Sequence, residues 1–217
     1  MALSACVVGA SGLVGRELVA QLCGDVSVAA VHVMVRSLND FGNSAKLSQH
    51  IIGFDNIAAT DWPASDVLFC CLGTTIKIAG SQEAFRRVDF DYVVESGKKA
   101  RAAGATRLLV VSAMGADRRS MVFYNRVKGE MEAAIASLGF SSVTIFRPSF
   151  LTGERIGAPE RRGENFAVTL LKFGNLLLPK KYQSLPGRAV ARSMLLSLLK
   201  PSRGVTIVES DEMQKNK

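Results

Sequence analysis

The stretch SACVVGASGLVG, Ser4 to Gly15, restricts the possible folds more than any other part of this chain. A short apolar run, Ser4–Val8, reads as a buried strand, and a helix-period pattern, Leu13–Leu22, follows almost at once. Between them stand Gly9, Gly12 and Gly15. Gly9 suits a tight strand-to-helix turn, Gly12 leaves the backbone open to a pyrophosphate, and Gly15 allows close packing of helix on sheet. The first amides of the helix then face an anion with positive partial charge. A glycine turn without a ligand is the bland alternative. The position inside a strand-turn-helix unit favours a dinucleotide.

Strand-like runs recur along the chain at Val31–Val35, Gln49–Ile52, Val67–Leu72, Leu108–Ser112, Val143–Phe146 and Val205–Val208. Helical patterns lie among them at Ser81–Ala102, Phe123–Leu138 and Arg188–Leu199. Strands buried on both faces and separated by helices imply an α/β architecture. The expectation is a doubly wound parallel sheet, a Rossmann fold with helices on both faces, as a single domain over residues 1–217. Residues 151–187 break this rhythm with Gly, Pro and charge clusters around one helical pattern, Phe166–Phe173. An apolar excursion of that length reads as a C-terminal lid on the substrate side.

With 217 residues, 48% of them hydrophobic, the chain can bury a full core. No apolar run approaches the roughly 18–20 residues of a membrane span, and the N-terminus lacks a secretion-signal pattern. A soluble cytoplasmic protein is expected. Cys6, Cys70 and Cys71 lie in apolar runs and Cys23 on a helix, without metal-ligand spacing, so buried reduced thiols and no metal are expected. His32 and His50, in or beside strands, read as structural. The net charge of +8 is concentrated: residues 147–188 hold eight Lys or Arg against three Glu. There is little aromatic interleaving and no nucleic-acid motif, so the expected partner is a small molecule, not nucleic acid or membrane. Arg155, Arg161, Arg162 and Tyr182 are candidates for an anion-attracting rim, against the plainer reading of a solvated basic face. Monomer and homodimer both stay open.

Two further features bear on chemistry. The second strand ends VHVMVRS, placing Arg36 where an NAD site would usually carry an acid for the adenosine ribose. A guanidinium there suits a 2′-phosphate and points to NADP, and an ordinary solvated arginine is the alternative. Farther on, YNRVK sets Tyr124 and Lys128 four residues apart, on one helix face. A phenol ordinarily ionises near ~10, too high for efficient proton exchange at neutral pH, and a neighbouring ammonium favours its ionised form.

With GASGLVG, LFCCLGTT, VVSAMGAD, YNRVK and IFRPSFLTG in this order, the chain resembles the atypical short-chain dehydrogenase/reductase superfamily. Within it, FCCLGTT, RVDFDYVV, VKGE and FRP are most similar to the Tat-interactive-protein oxidoreductases and their bacterial relatives. The resemblance implies a catalytic set of Ser112, Tyr124 and Lys128. It also implies a phosphate loop of Gly9, Ser11, Gly12, Leu13, Val14 and Gly15, with Arg36 as NADP selector. Leu72, Gly73 and Thr74 would pass beneath the ribose, and Pro148 and Ser149 would lie beside the nicotinamide. Two positions depart from the pattern. Gly53, followed by Phe54, stands where many relatives carry an acid near adenine, and Asp89 stands where many carry Asn in a proton relay. The implied activity is NADPH-dependent reduction of a carbonyl, or the reverse oxidation of an alcohol. An NADP(H)-binding sensor or scaffold and a nucleotide-sugar epimerase or dehydratase are the alternatives.

Overall fold

The structure is a computed structural model that describes residues 2–153, 179–200 and 203–217. Its centre is built from the sequence's most uniformly apolar runs. In β1 (Leu3–Val8) the last four residues are buried, and in β4 (Val67–Cys70) all four are. Strands with no polar face must be covered on both sides, and the chain does this with helices.

The sheet has seven strands: β1, β2 (Val28–Val35), β3 (Leu47–Ile51), β4, β5 (Arg107–Val111), β6 (Ser142–Arg147) and β9 (Gly204–Glu209). Their spatial order is β3-β2-β1-β4-β5-β6-β9, and every neighbouring pair runs parallel. The chain winds outward from β1 to β3, returns to β4 beside β1, and winds outward again to β9. That reversal leaves a crevice beyond the carboxyl ends of β1 and β4, where open α/β sheets take their ligands. A separate two-residue pair joins β7 (Leu151–Thr152) to β8 (Leu185–Pro186).

One face of the sheet packs against α1 (Leu13–Gly24) and α6 (Gly187–Leu198), through Leu18, Leu22, Met194 and Leu195. The other packs against α4 (Tyr92–Ala102) and α5 (Phe123–Ala136), through Val93, Val94, Met131 and Ile135. Short helices α2 (Ile76–Ala79), α3 (Gln82–Arg86) and α7 (Ser210–Met213) complete the layers.

All seven expected strands form, with shifted ends. β4 stops at Cys70 and β5 at Val111, so Leu72 and Ser112 lie just past their strands, on the ligand side. The helix expected over Ser81–Ala102 arrives as α3, a π turn at Arg87–Asp91, and α4. A 3₁₀ helix at Phe54–Ala59 and the β7–β8 pair were not marked by the hydrophobic pattern. Most of the expected lid, with Arg155, Arg161, Arg162 and Phe166–Phe173, lies outside the described residues; Tyr182, in a 3₁₀ turn, is exposed.

Among the described residues no helix is long and apolar enough to cross a membrane, and no cluster of His, Cys, Asp or Glu has the makings of a metal site. His32 and His50 meet across β2 and β3 at 3.1 Å, and burial followed by the neighbouring ring holds His32 below the ordinary histidine value. All four cysteines are free. Burial pushes Cys6 and Cys70 up to about 12, and Cys71 well above its usual range. A thiolate is the reactive form. At pH 8 a disulfide-exchange reagent such as Ellman's should therefore spare the buried Cys6 and Cys70 in the native protein and modify all four thiols in denaturant. Rapid native modification of Cys6 or Cys70 would show that the core opens.

Candidate active site

The site begins at the glycine turn. Gly9 adopts φ +74, and a Cβ there would lie 2.4 Å from the carbonyl carbon of Cys71, so the turn is pressed directly against the exit of β4. A Cβ on Gly15 would lie 2.1 Å from the Gly9 carbonyl oxygen. Gly15 is therefore required for packing of α1 on its own loop, beyond the helix–sheet contact inferred from sequence. Gly12 differs: it is exposed and would meet only the Gly9 oxygen, at 3.3 Å. It caps α1 without a side chain, and no acid lies in the first turn. The helix amides at Leu13 and Val14 have no intrahelical acceptor, as at any helix start, and no carboxylate competes for them. These residues fit a pyrophosphate. Gly15→Ala should destabilise the fold by about 1–3 kcal/mol in urea unfolding, because the Gly9–Ala10 backbone against the new methyl cannot yield easily. An unchanged midpoint would show the loop to be looser than described.

Across the crevice lies a buried ion pair. Lys128 on α5 places its ammonium 2.7 Å from the Asp89 carboxylate, with the two side chains 4% and 0% exposed. Asp89 sits within the π turn, an irregularity that recurs at functional sites. Its other carboxylate oxygen accepts the Thr74 backbone N–H at 2.8 Å. A Cβ on Gly73 would approach both partners, at 3.5 Å from Asp89 and 3.8 Å from Lys128. Burial pushes Lys128 down, but Asp89, with Tyr124 and Cys70 adding to it, leaves the ammonium above the ordinary lysine value. It stays charged at any neutral pH.

Tyr124 lies one turn before Lys128 on the same stripe, half-buried, its ring 5.3 Å from that of Phe85. The stripe continues to Glu132. That carboxylate is buried, receives the Ser112 hydroxyl at 2.5 Å, and is gripped by Arg147 at 3.0 and 2.6 Å. Arg147 also reaches Glu209 at 3.5 Å, and hydrogen bonding to Glu132 leads the interactions that hold it above the usual arginine value. Ser112 thus has a defined partner behind the site.

The remaining expected residues are spread along the same edge of the sheet. Leu72, Gly73 and Thr74 connect the Gly9 turn to the ion pair. Arg36 is exposed just past β2. Pro148 and Ser149 are buried past β6: the Pro148 carbonyl accepts Met114 N–H at 3.0 Å, and Ser149 donates to Gln183 and accepts from Ser210. Phe54 packs on Tyr92 at 5.6 Å and helps line a cavity of about 400 Å³ with Ile57, Arg87 and Glu95. This cavity touches none of Ser112, Tyr124 or Lys128. Leu13, counted with the phosphate loop, also packs against Gly153 and Gly187, tying the base of the 151–187 segment to the turn.

Glu132 and Arg147 were missed by the sequence reading. The available signal was Glu132 at i+8 from Tyr124 and i+4 from Lys128, on the same helix stripe; its strand partner is a tertiary fact.

Comparison with known proteins agrees with this geometry. A family model described as NAD(P)H-binding matches residues 9–169. Protein HTATIP2 of Rattus norvegicus is 35% identical over 205 residues, covering 91% of this chain and 82% of that protein. Protein FMP52, mitochondrial, of Eremothecium gossypii is 33% identical over 222 residues, covering 97% and 96%. Among solved structures, MoeE5 in complex with UDP-glucuronic acid and NAD superposes with a TM-score of 0.70 at 18% identity, covering 95% of this chain and 76% of that one. Bordetella bronchiseptica WbmH in complex with NAD+ gives 0.73 at 11% identity, covering 97% and 76%. At such identities the structures speak for the fold.

Proposed function

The chain belongs to the NAD(P)H-binding family, alongside the HTATIP2 and FMP52 proteins, and on that premise we propose that it is an NADP-dependent oxidoreductase that reduces a small-molecule carbonyl or oxidises the corresponding alcohol. The observation that carries the proposal is the Lys128–Asp89 pair, buried at the sheet's switch point and set one helical turn from Tyr124. Removing an ammonium from water costs several kcal/mol, so a fold that keeps one in this crevice points to a functional demand.

In this reading Leu13, Val14 and Gly15 offer amides to the pyrophosphate, with Gly9, Ser11 and Gly12 shaping their approach. Arg36 pairs with the 2′-phosphate, Phe54 flanks the adenine side, and Leu72 to Thr74 underlie the ribose. Pro148 and Ser149 bound the nicotinamide side. The coenzyme supplies the hydride. Tyr124 gives its proton to the substrate oxygen, and Lys128, fixed by Asp89, holds the ribose. Ser112 takes the substrate oxygen by rotating its hydroxyl away from Glu132, a carboxylate that Arg147 leaves well bonded when this happens. Four free cysteines suit a reducing compartment such as the cytoplasm.

The engagement of Ser112 by Glu132 favours a second reading, an NADP(H)-binding sensor with little turnover. Nucleotide-sugar chemistry ranks third, since the likeness to MoeE5, at 18% identity, is one of fold. Fluorescence titration tests the coenzyme assignment. Arg36→Ala should weaken NADPH by about ten- to a hundredfold, the worth of one charge-assisted contact, and leave NADH unchanged. Equal weakening of both would remove the selector role.

A further inference from the structure

The two edges of the sheet differ in kind. β3, at one edge, reads LSQHI and carries Ser48, Gln49 and His50; β9, at the other, reads GVTIVE, with Val205 and Ile207 51% and 41% exposed. In register, Val205 lies beside Val143 and Ile207 beside Ile145, so both point to the face covered by α5. Among the described residues no helix extends over them. An apolar edge strand without Pro, and with no charge before its last residue, is the kind that proteins ordinarily blunt.

The backbone at this edge is also available. Gly204 N–H donates to Ser141, toward β6. Strand groups alternate, so the N–H and C=O of Val205 and Ile207 point outward, away from the sheet. An antiparallel second copy can pair only with outward groups facing outward groups. Three central registers satisfy this. The first sets Arg203 against Ile207, and the second sets Val205 against Glu209. The third sets Val205 against Ile207 twice and Arg203 against Glu209 at both ends, with Thr206 on the two-fold axis. Only this register matches apolar with apolar and cation with anion throughout. Arg203 is exposed just before β9, and Glu209 keeps 31% of its side chain accessible.

We propose that β9 is a homodimer interface, in which two copies pair antiparallel about Thr206 and join their sheets into one of fourteen strands. The contact is isologous and closes on itself, so it gives a dimer and no fibre. Thr206 and its mate form a non-hydrogen-bonded pair, with Cα atoms about 4.5 Å apart, within disulfide reach.

The full chain should sediment as a reversible dimer at equilibrium. Ile207→Lys should be monomeric, and Arg203→Glu should weaken the dimer at least tenfold, while both bind NADPH like the parent and so are folded. Thr206→Cys should form a disulfide-linked dimer under mild oxidation, and Ser48→Cys on the opposite edge should not. A parent monomeric at every concentration would overturn the proposal. So would a dimer that survives Ile207→Lys and in which Thr206→Cys fails to cross-link, since another face would then be the contact.

Discussion

Tyr124→Phe is expected to lower turnover of a carbonyl substrate by about 10²–10⁴-fold, the usual contribution of one positioned acid, with NADPH affinity unchanged. The substitution removes a single oxygen. The ring keeps its place against Phe85 and its position one turn from Lys128, so the fold has no reason to respond. Thermal unfolding should therefore coincide with the parent's, and the loss should lie in kcat. A carbonyl panel run on both proteins makes the measurement. Activity undiminished in the Phe variant would remove Tyr124 as proton donor and leave the sensor reading in its place.

The second large effect concerns stability. Asp89→Leu should destabilise the protein by about 3–5 kcal/mol in urea unfolding, because it leaves the Lys128 ammonium buried and unpaired. The pH sense follows from Lys128 itself. Its folded value lies above the ordinary 10.5, so its pairing stabilises fully below that pH and fades only as pH rises through the folded value. The penalty is thus present across the neutral range. Asp89→Asn, which can still accept from Thr74, should cost less. Pairing Asp89→Leu with Lys128→Met removes both charges and should recover most of the loss, since replacing a whole buried pair by apolar groups is often neutral. If the double variant is as unstable as the single one, the harm comes from lost packing at the π turn and the ion pair is incidental.

Several of these parts can be read in the sequence and others cannot, for physical reasons. The glycine turn shows because backbone constraints are local: Gly9 and Gly15 are demanded by atoms within or beside one turn, and a strand and a helix flank them in order. Tyr124 and Lys128 show because helix periodicity alone places them on one stripe. The parallel, doubly wound sheet follows from alternation and handedness, and its strand order is seen only in the structure. Partners across the fold do not show. Asp89 stood out in the chain only as a departure from its relatives, and its pairing with Lys128 depends on a π turn that no hydrophobic period records. Glu132 reads as one more polar helix residue until Arg147, at the end of β6, is seen to hold it. Ser112 was expected as the last residue of its strand and lies one residue past β5, and the direction of its hydroxyl is set by that same carboxylate. The 3₁₀ helix carrying Phe54 follows a glycine and is too short to give a periodic signal.

A crystal structure with NADPH bound decides whether a dinucleotide lies across the carboxyl edge of the sheet with its reactive ring beside Tyr124. The expected result is the pyrophosphate on the amides opening α1, the 2′-phosphate at Arg36, and the nicotinamide ribose between Lys128 and the Tyr124 hydroxyl. A coenzyme bound elsewhere, or a phenol turned into solvent far from the nicotinamide, would contradict it.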